Sequence, residues 1–299
     1  KTAYEITYGD WSSDVCSSDL QRTATSWFTS RGGMSKLGTS KGTTSSTASS
    51  SATSPAGMMP VSSGVHATAA ATSALKTLVL LHGGPYQARY GIGFNPMAQF
   101  MAARGYQVFM PNFRSSGGYG TAFMIRKRAD WGGQDWDDVQ TGVDALIDRG
   151  LALKDQLGVF GHSYGGYLSA WAISHTDRYD AGIVSAGAPD LPALWAQSDT
   201  HQYRAYEFEG KPWESFDKWR SRSPIAHIAN CHTPTLVLNG EADVRIPYPQ
   251  AQETYQSLKF LGVPTSFVHY PREGHGLREP RHRADWYMRQ AAWFDQWVK

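Results

Sequence analysis

The stretch LGVFGHSYGG, residues 157–166, places a serine between glycines at the junction of two different patterns. Leu157 to Phe160 form a short apolar run typical of a buried strand, and Gly166 to His175 have the length and composition of a helix. A sharp strand-to-helix turn needs small residues on either side, and it leaves the hydroxyl of Ser163 projecting above the sheet edge. The predicted strand before Ser163 and the predicted helix after it favour a nucleophilic serine. The alternative is a glycine-rich turn in which the serine has no catalytic role.

Strands and helices alternate on both sides of this turn. Apolar runs predict strands at Thr77–Leu81, Tyr106–Met110, Leu157–Phe160, Ala181–Ser185, Thr235–Leu238 and Thr265–Tyr270. Helical spacing predicts helices at Phe94–Arg104, Asp137–Arg149, Gly166–His175, Pro249–Leu261 and Ala284–Val298. Such alternation implies a mostly parallel, doubly wound sheet covered on both faces. Together with the serine turn, it predicts the α/β-hydrolase fold.

A serine hydroxyl needs a base to remove its proton and an acid to orient that base. In this fold the acid follows the serine along the chain and the histidine comes last. Asp243 lies in GEADVRIP, residues 240–247, and His275 lies in EGHG, residues 273–276, each directly after a predicted strand. Glu241 competes for the acid role, but Asp243 sits deeper in the loop. We therefore predict Ser163, Asp243 and His275 as a catalytic triad.

The oxyanion of the tetrahedral intermediate needs two hydrogen-bond donors. The backbone N–H of Tyr164, which follows the predicted nucleophile, is the first. The second is expected in HGGP, residues 82–85, where Gly83 and Gly84 allow the backbone to approach a substrate oxygen closely. The alternative interpretation of HGGP is a simple turn that ends a strand.

Composition excludes several other function classes. The chain has 299 residues, with 28 basic and 26 acidic side chains, and this balance predicts no nucleic-acid partner. No run of eighteen apolar residues occurs, so no membrane partner is expected. The other histidines show no metal-ligand spacing, and we predict neither a metal nor a cofactor. The cysteine count gives no support for an oxidising compartment, so a cytoplasmic location is favoured.

The beginning of the chain differs in character from the rest. DWSSDVCSSDL, from Asp10 to Leu20, resembles the translation of a common sequencing-adapter oligonucleotide, so residues 1–20 are set aside as an artefact. Residues 21–74 are rich in Ser, Thr and Ala, which predicts a disordered tract, either a natural linker or an out-of-frame translation. The catalytic domain is expected to occupy residues 75–299.

Several motifs in this order resemble the prolyl oligopeptidase family, and most of all its acylaminoacyl-peptidase-like branch. They are HGGP, NFRSSGGYG (residues 112–120), GHSYGGY (161–167), SRSPI (221–225), GEADVRIP and EGHG. The resemblance covers residues 75–299 and implies a peptidase in which Gly84 and Tyr164 donate to the oxyanion. It also implies an acyl-side substrate pocket near four apolar side chains: Tyr164, Leu191, Trp195 and Ile246.

The resemblance implies a serine peptidase that cleaves short or N-acylated peptides through an acyl-enzyme. Family members normally carry an N-terminal β-propeller, and residues 1–74 cannot encode one, so we expect it to be absent. Two alternatives stay open: a carboxylesterase with the same triad, and an inactive truncated fragment or non-catalytic hydrolase-fold protein. The expected partner is a short peptide or acyl-peptide substrate, and an oligomer is compatible with the sequence. Arg114 is expected either to steady its loop or to contact substrate.

Overall fold

The structure, a computed structural model, describes residues 4–6, 73–86, 88–125 and 128–299. Seven strands lie in these residues: β1 (Tyr4–Ile6), β2 (Leu75–Leu81), β3 (Gln107–Phe109), β4 (Ala152–His162), β5 (Ala181–Ser185), β6 (Thr235–Gly240) and β7 (Thr265–Tyr270). They form one sheet in the order β1-β7-β6-β5-β4-β2-β3. All neighbouring strands are parallel except β1 and β7. The prediction of a mostly parallel α/β sheet is confirmed.

Helices connect the strands and cover the sheet. The described α-helices are α1 (Pro96–Ala102), α2 (Thr121–Ile125), α3 (Gln134–Asp148), α4 (Tyr164–His175), α5 (Leu191–Gln197), α6 (His201–Glu207), α7 (Phe216–Ser221), α8 (Tyr248–Phe260) and α9 (Pro280–Trp297). The same described residues include two 3₁₀ segments, at Pro212–Glu214 and Pro224–Asn230. Within the described ranges, no helix combines the length and the apolar character needed to cross a membrane.

Strand β2 shows how the sheet is buried on both faces. Successive strand side chains point to opposite faces. Leu78 and Leu80 accordingly pack in a cluster with residues of α1 and α9, whereas Val79 and Leu81 pack in a second cluster with residues of α3 and α4. A continuous apolar run is therefore required here, because neither face of the strand meets water.

The five predicted helices are all present, with ends that differ by a few residues. The helices between β5 and β6, α5 to α7, were not predicted, because segments of six or seven residues are too short to show a helical period. Tertiary packing stabilises them instead. Phe208, which follows α6, stacks on Trp219 of α7 with ring centroids 4.3 Å apart, and both side chains are fully buried.

Strand β1 lies inside the segment of residues 1–20 that the sequence sets aside. It pairs antiparallel with β7, with Tyr4 opposite His269 and Ile6 opposite Phe267. These residues precede the adapter-like order, which begins at Asp10. Residues 10–20 and residues 21–72 lie outside the described residues, so the proposals of an artefact and of a disordered tract stay predictions.

Candidate active site

A strained turn carries Ser163. This residue lies between β4 and α4, with φ 63° and ψ −120°. A serine adopts positive φ only where the surrounding structure imposes it. The flanking glycines make the turn sterically accessible, since a Cβ on Gly161 would lie 2.6 Å from the carbonyl oxygen of Leu81, and one on Gly165 would overlap the same atom.

Replacing Gly165 with alanine should therefore lower the free energy of unfolding by about 1–3 kcal/mol, because the added methyl must displace the turn or β2. Urea unfolding measures this change. Gly93→Ala is the matched control, since a Cβ there has no atom within 4 Å. Equal stability of the two variants would show that the turn does not need its second glycine.

Ser163, His275 and Asp243 form a continuous hydrogen-bond chain. Nε2 of His275 lies 2.8 Å from Oγ of Ser163, and Nδ1 lies 2.8 Å from Oδ2 of Asp243. When Nδ1–H donates to the carboxylate, Nε2 is left to accept the serine proton. The Asp243 side chain is fully buried, whereas that of His275 is 30% exposed. The imidazole is thus partly accessible from outside, while the carboxylate is shielded from water.

Backbone donors fix the carboxylate of Asp243. Its Oδ1 accepts hydrogen bonds from the N–H groups of Arg245 (2.8 Å) and Ile246 (2.9 Å), which leaves Oδ2 for His275. Glu241, the competing acid, is exposed, and its Oε2 accepts from the N–H of Arg272 at 3.1 Å. The structure therefore places Asp243, and not Glu241, against His275.

A second carboxylate anchors the loop that carries His275. Glu273 is buried at the start of this loop, and its two oxygens accept from the N–H groups of Arg278 and Glu279, each at 2.8 Å, and from Nδ1 of His282 at 2.9 Å. Glu273, Glu279 and His282 also lie close enough together to hold a metal ion. The three N–H donors already occupy the oxygens of Glu273, so the carboxylate links the loop to the two residues before α9 and to the His282 side chain within it.

The predicted oxyanion residues lie in the HGGP loop and directly after Ser163 in the chain. A Cβ on Gly83 would lie 3.9 Å from Oγ of Ser163, so the backbone of HGGP passes close to the nucleophile. Gly84 has φ 114°, a conformation that glycine adopts without strain. Tyr164 is the first residue of α4, and the N–H groups at a helix start point out of the helix at its positive end. The backbone of Gly83 and the first residue of α4 therefore both lie next to Ser163.

A neighbouring loop supports HGGP. His82 is hydrogen-bonded through Nε2 to Oγ of Ser116 at 2.8 Å, and its ring stacks on Phe113 with centroids 4.2 Å apart. Arg114 lies in the same loop and donates from Nε and Nη2 to the carboxylate of Asp138 on α3, at 2.7–3.0 Å. Of the two roles left open by the sequence, the structure shows Arg114 steadying its loop.

The four residues of the predicted substrate pocket share one apolar region. Tyr164, Leu191 and Ile246 belong to the same buried cluster, and half-buried Trp195 packs against it. The hydroxyl of Tyr164 donates to the carboxylate of Asp135. Burial and the negative charge of Asp135 both raise the pKa of Tyr164 above its ordinary value, so the phenol stays neutral. The Tyr164 side chain next to Ser163 is therefore neutral, and the buried carboxylate of Asp135 lies at its hydroxyl.

Three further residues next to the triad were not predicted. His162, whose sequence spacing suggested no site, has its Nε2 2.6 Å from the carbonyl oxygen of His275 and its Nδ1 3.0 Å from Oγ of Ser185. Nε1 of Trp286 donates to the same Ser185 oxygen at 3.3 Å. The one sequence feature that pointed to any of these three residues was the position of His162 directly before Ser163.

The model of the prolyl oligopeptidase family matches residues 92–299. The chain belongs to the prolyl oligopeptidase family. Its resemblance to this family and its α/β-hydrolase fold are thereby confirmed, and the family is one of serine-type peptidases.

Relatives within the prolyl oligopeptidase family are much longer than this chain. The uncharacterized peptidase YuxL of Bacillus subtilis is 36% identical over 221 residues, which cover 72% of this chain and 34% of that protein. Acylamino-acid-releasing enzyme 1 of Oryza sativa is 30% identical over 229 residues, which cover 73% of this chain and 29% of the enzyme. The chain thus spans about a third of the length of these curated relatives.

Solved structures of the family agree with the fold. An acylaminoacyl peptidase in complex with Z-Gly-Gly-Phe-chloromethyl ketone superposes with a TM-score of 0.73 at 30% identity, covering 77% of this chain and 38% of that one. A puromycin-hydrolyzing peptidase of Mycobacterium tuberculosis superposes with a TM-score of 0.73 at 27% identity, covering 77% and 35%. The chain corresponds in each case to the hydrolase part of a larger protein.

Proposed function

We propose that this chain cleaves short or N-acylated peptides through an acyl-enzyme on Ser163. The observation that carries the proposal is the hydrogen-bond chain from Ser163 Oγ through His275 to Asp243, with both contacts at 2.8 Å. A triad with this geometry serves acyl transfer on several unrelated folds, so the geometry itself argues for the chemistry.

The mechanism uses each residue at a stated atom. Nε2 of His275 takes the proton of Ser163 as Oγ attacks the scissile carbonyl carbon, and the resulting imidazolium is stabilised by Asp243. The N–H groups of Tyr164 and of the Gly83–Gly84 backbone stabilise the negative charge on the carbonyl oxygen. His275 then donates its proton to the leaving amine. Water, activated by the same histidine, finally releases the acyl group from Ser163.

The proposed substrate class rests on the apolar side chains that the family resemblance implies as the acyl-side pocket. Leu191, Trp195 and Ile246 would receive the apolar side chain of the residue that contributes the scissile carbonyl. The acyl preference is supported by relatives named acylamino-acid-releasing enzymes and by the acylaminoacyl peptidase crystallised with an N-blocked peptide ketone ending in phenylalanine.

A carboxylesterase is the second candidate, because the same nucleophile, base and oxyanion donors cleave activated esters. The exposed side of His275 favours it, since an ester with a small leaving group reaches Ser163 without needing extended peptide contacts. The third candidate is a fragment that needs a longer protein for activity.

One comparison of substrates separates the candidates. We expect turnover of an N-acetylated phenylalanine p-nitroanilide and of a p-nitrophenyl acetate, and slower turnover of the same anilide with a free amino terminus. Turnover of the p-nitrophenyl ester, with no turnover of either anilide, would identify a carboxylesterase. If none of the three substrates is turned over and a fluorophosphonate does not label Ser163, the chain is inactive by itself.

A further inference from the structure

We infer that His162 is a positioning residue that holds the backbone of His275 at the correct distance from Ser163. This inference rests on the proposed function. His162 directly precedes Ser163 in the chain, and its Nε2 lies 2.6 Å from the carbonyl oxygen of His275. The His162 side chain therefore connects the backbone next to Ser163 to the backbone of His275.

The tautomer of His162 follows from its partners. A carbonyl oxygen accepts but cannot donate, so Nε2 must carry the hydrogen that bonds to His275. Nδ1 of the neutral ring then accepts the hydroxyl hydrogen of Ser185, at 3.0 Å. The Ser185 oxygen in turn accepts from Nε1 of Trp286, at 3.3 Å, which leaves its hydrogen directed to His162. Burial first and the neighbouring His275 ring second lower the pKa of His162 to about 4, which agrees with a neutral ring.

Ser185 contacts both Ser163 and His162. Its carbonyl oxygen accepts the N–H of Ser163 at 3.0 Å, while its hydroxyl contacts His162. Ser185 and His162 also lie opposite each other in the pairing of β4 and β5. The end of β5 therefore fixes both the turn that carries Ser163 and the imidazole that holds His275.

A cavity of about 280 Å³ lies behind the loop of His275, and His162, Ser185 and Trp286 form part of its wall. A cavity of this size holds water, which can solvate the His275 carbonyl if the imidazole is removed. Loss of the imidazole should therefore cost little folding free energy, and it should instead let the loop move relative to Ser163. Because a displacement of about 1 Å in a catalytic group can cost on the order of 10²-fold in rate, the effect should appear in kcat.

The test compares His162→Phe with His162→Gln in the full chain. Phenylalanine keeps an aromatic ring but removes both hydrogen bonds, whereas the glutamine amide places an N–H donor near the position of Nε2. We expect His162→Phe to lower kcat on the N-acetylated anilide about 10²-fold with KM almost unchanged, and His162→Gln to recover most of the loss. Fluorophosphonate labelling of Ser163 should slow in parallel.

His175→Phe is the matched control. Nδ1 of His175 also donates to a backbone carbonyl, that of Trp171 at 2.8 Å, but this histidine lies at the end of α4 and contacts no member of the triad. We expect kcat to stay at the wild-type value in this variant. Equal kcat in His162→Phe and His175→Phe, or no recovery with glutamine, would overturn the inference.

A further variant, His162→Asn, tests the inference if His162→Phe does not fold. Asparagine is one methylene shorter than glutamine, so it can contact Ser185 but cannot reach the His275 carbonyl. His162→Asn should lose kcat as phenylalanine does, and wild-type kcat in that variant would also overturn the inference. Absence of turnover and labelling in the wild-type chain would instead contradict the proposed function, so the two failures are distinguishable.

Discussion

Ser163→Ala should lower kcat about 10⁶-fold on both the anilide and the ester, because the triad acts as a unit and alanine removes its nucleophile. Fluorophosphonate labelling should stop completely. The fold should persist, since the hydroxyl of Ser163 contributes one hydrogen bond to His275 and the backbone turn is held by other contacts, among them the 3.0 Å bond from its N–H to Ser185. Steady-state kinetics and intact-mass analysis of the labelled protein measure the two effects.

Ser174→Ala is the control for this experiment. Ser174 is a buried serine on α4, and its hydroxyl donates to the carbonyl of Ala170 and lies 3.0 Å from Nδ1 of His175, which is not a member of the triad. Labelling and kcat should be unchanged in this variant. If the alanine variant of Ser163 were still labelled at another serine, the assignment of the nucleophile would be wrong.

Asp243→Asn should lower kcat about 10⁴-fold. Oδ1 of Asp243 is held by two backbone N–H groups, so the new amide nitrogen would occupy the Oδ2 position and donate toward Nδ1 of His275. The imidazole would then carry its hydrogen on Nε2, facing Ser163, and could not accept the serine proton. The pH dependence of kcat/KM, compared between variant and wild type, would report the loss of the working base.

Glu241→Gln tests whether Glu241, rather than Asp243, is the acid that acts on His275. Glu241 is exposed, and its carboxylate contacts the N–H of Arg272 rather than His275. A glutamine oxygen can accept the same bond, so kcat should change by less than about threefold, as is usual for an exposed substitution that keeps its hydrogen bond. A larger loss with Glu241→Gln than with Asp243→Asn would mean that the acid has been misassigned.

The strands and the short helices differ in how well sequence predicts them. Strands β5 and β7 were predicted with their observed ends, because runs such as AGIVS are apolar on both faces and bounded by turns. The short helices α5 to α7 were missed, because their stability comes from contacts such as Phe208 on Trp219 and not from their own periodicity.

The sequence by itself determined the fold class and the serine turn that we propose carries the nucleophile. The turn around Ser163 shows in five consecutive residues, Gly161 to Gly165, although the Leu81 carbonyl oxygen that leaves no room for a Cβ at either glycine belongs to β2. The alternation of strands and helices is likewise local, because each element must bury its own apolar face. Both can be read from short stretches of chain.

Only the tertiary structure decided which polar residues meet at the nucleophile. His275 is 112 residues from Ser163 along the chain, and Asp243 and Glu241 differ by only two positions in the same loop. The choice between these two acids, the anchoring of Arg114 to Asp138, and the contact of His162 with the His275 carbonyl all depend on strand order and loop conformation. Local sequence does not encode such contacts, because they form between side chains that only the assembled sheet brings together.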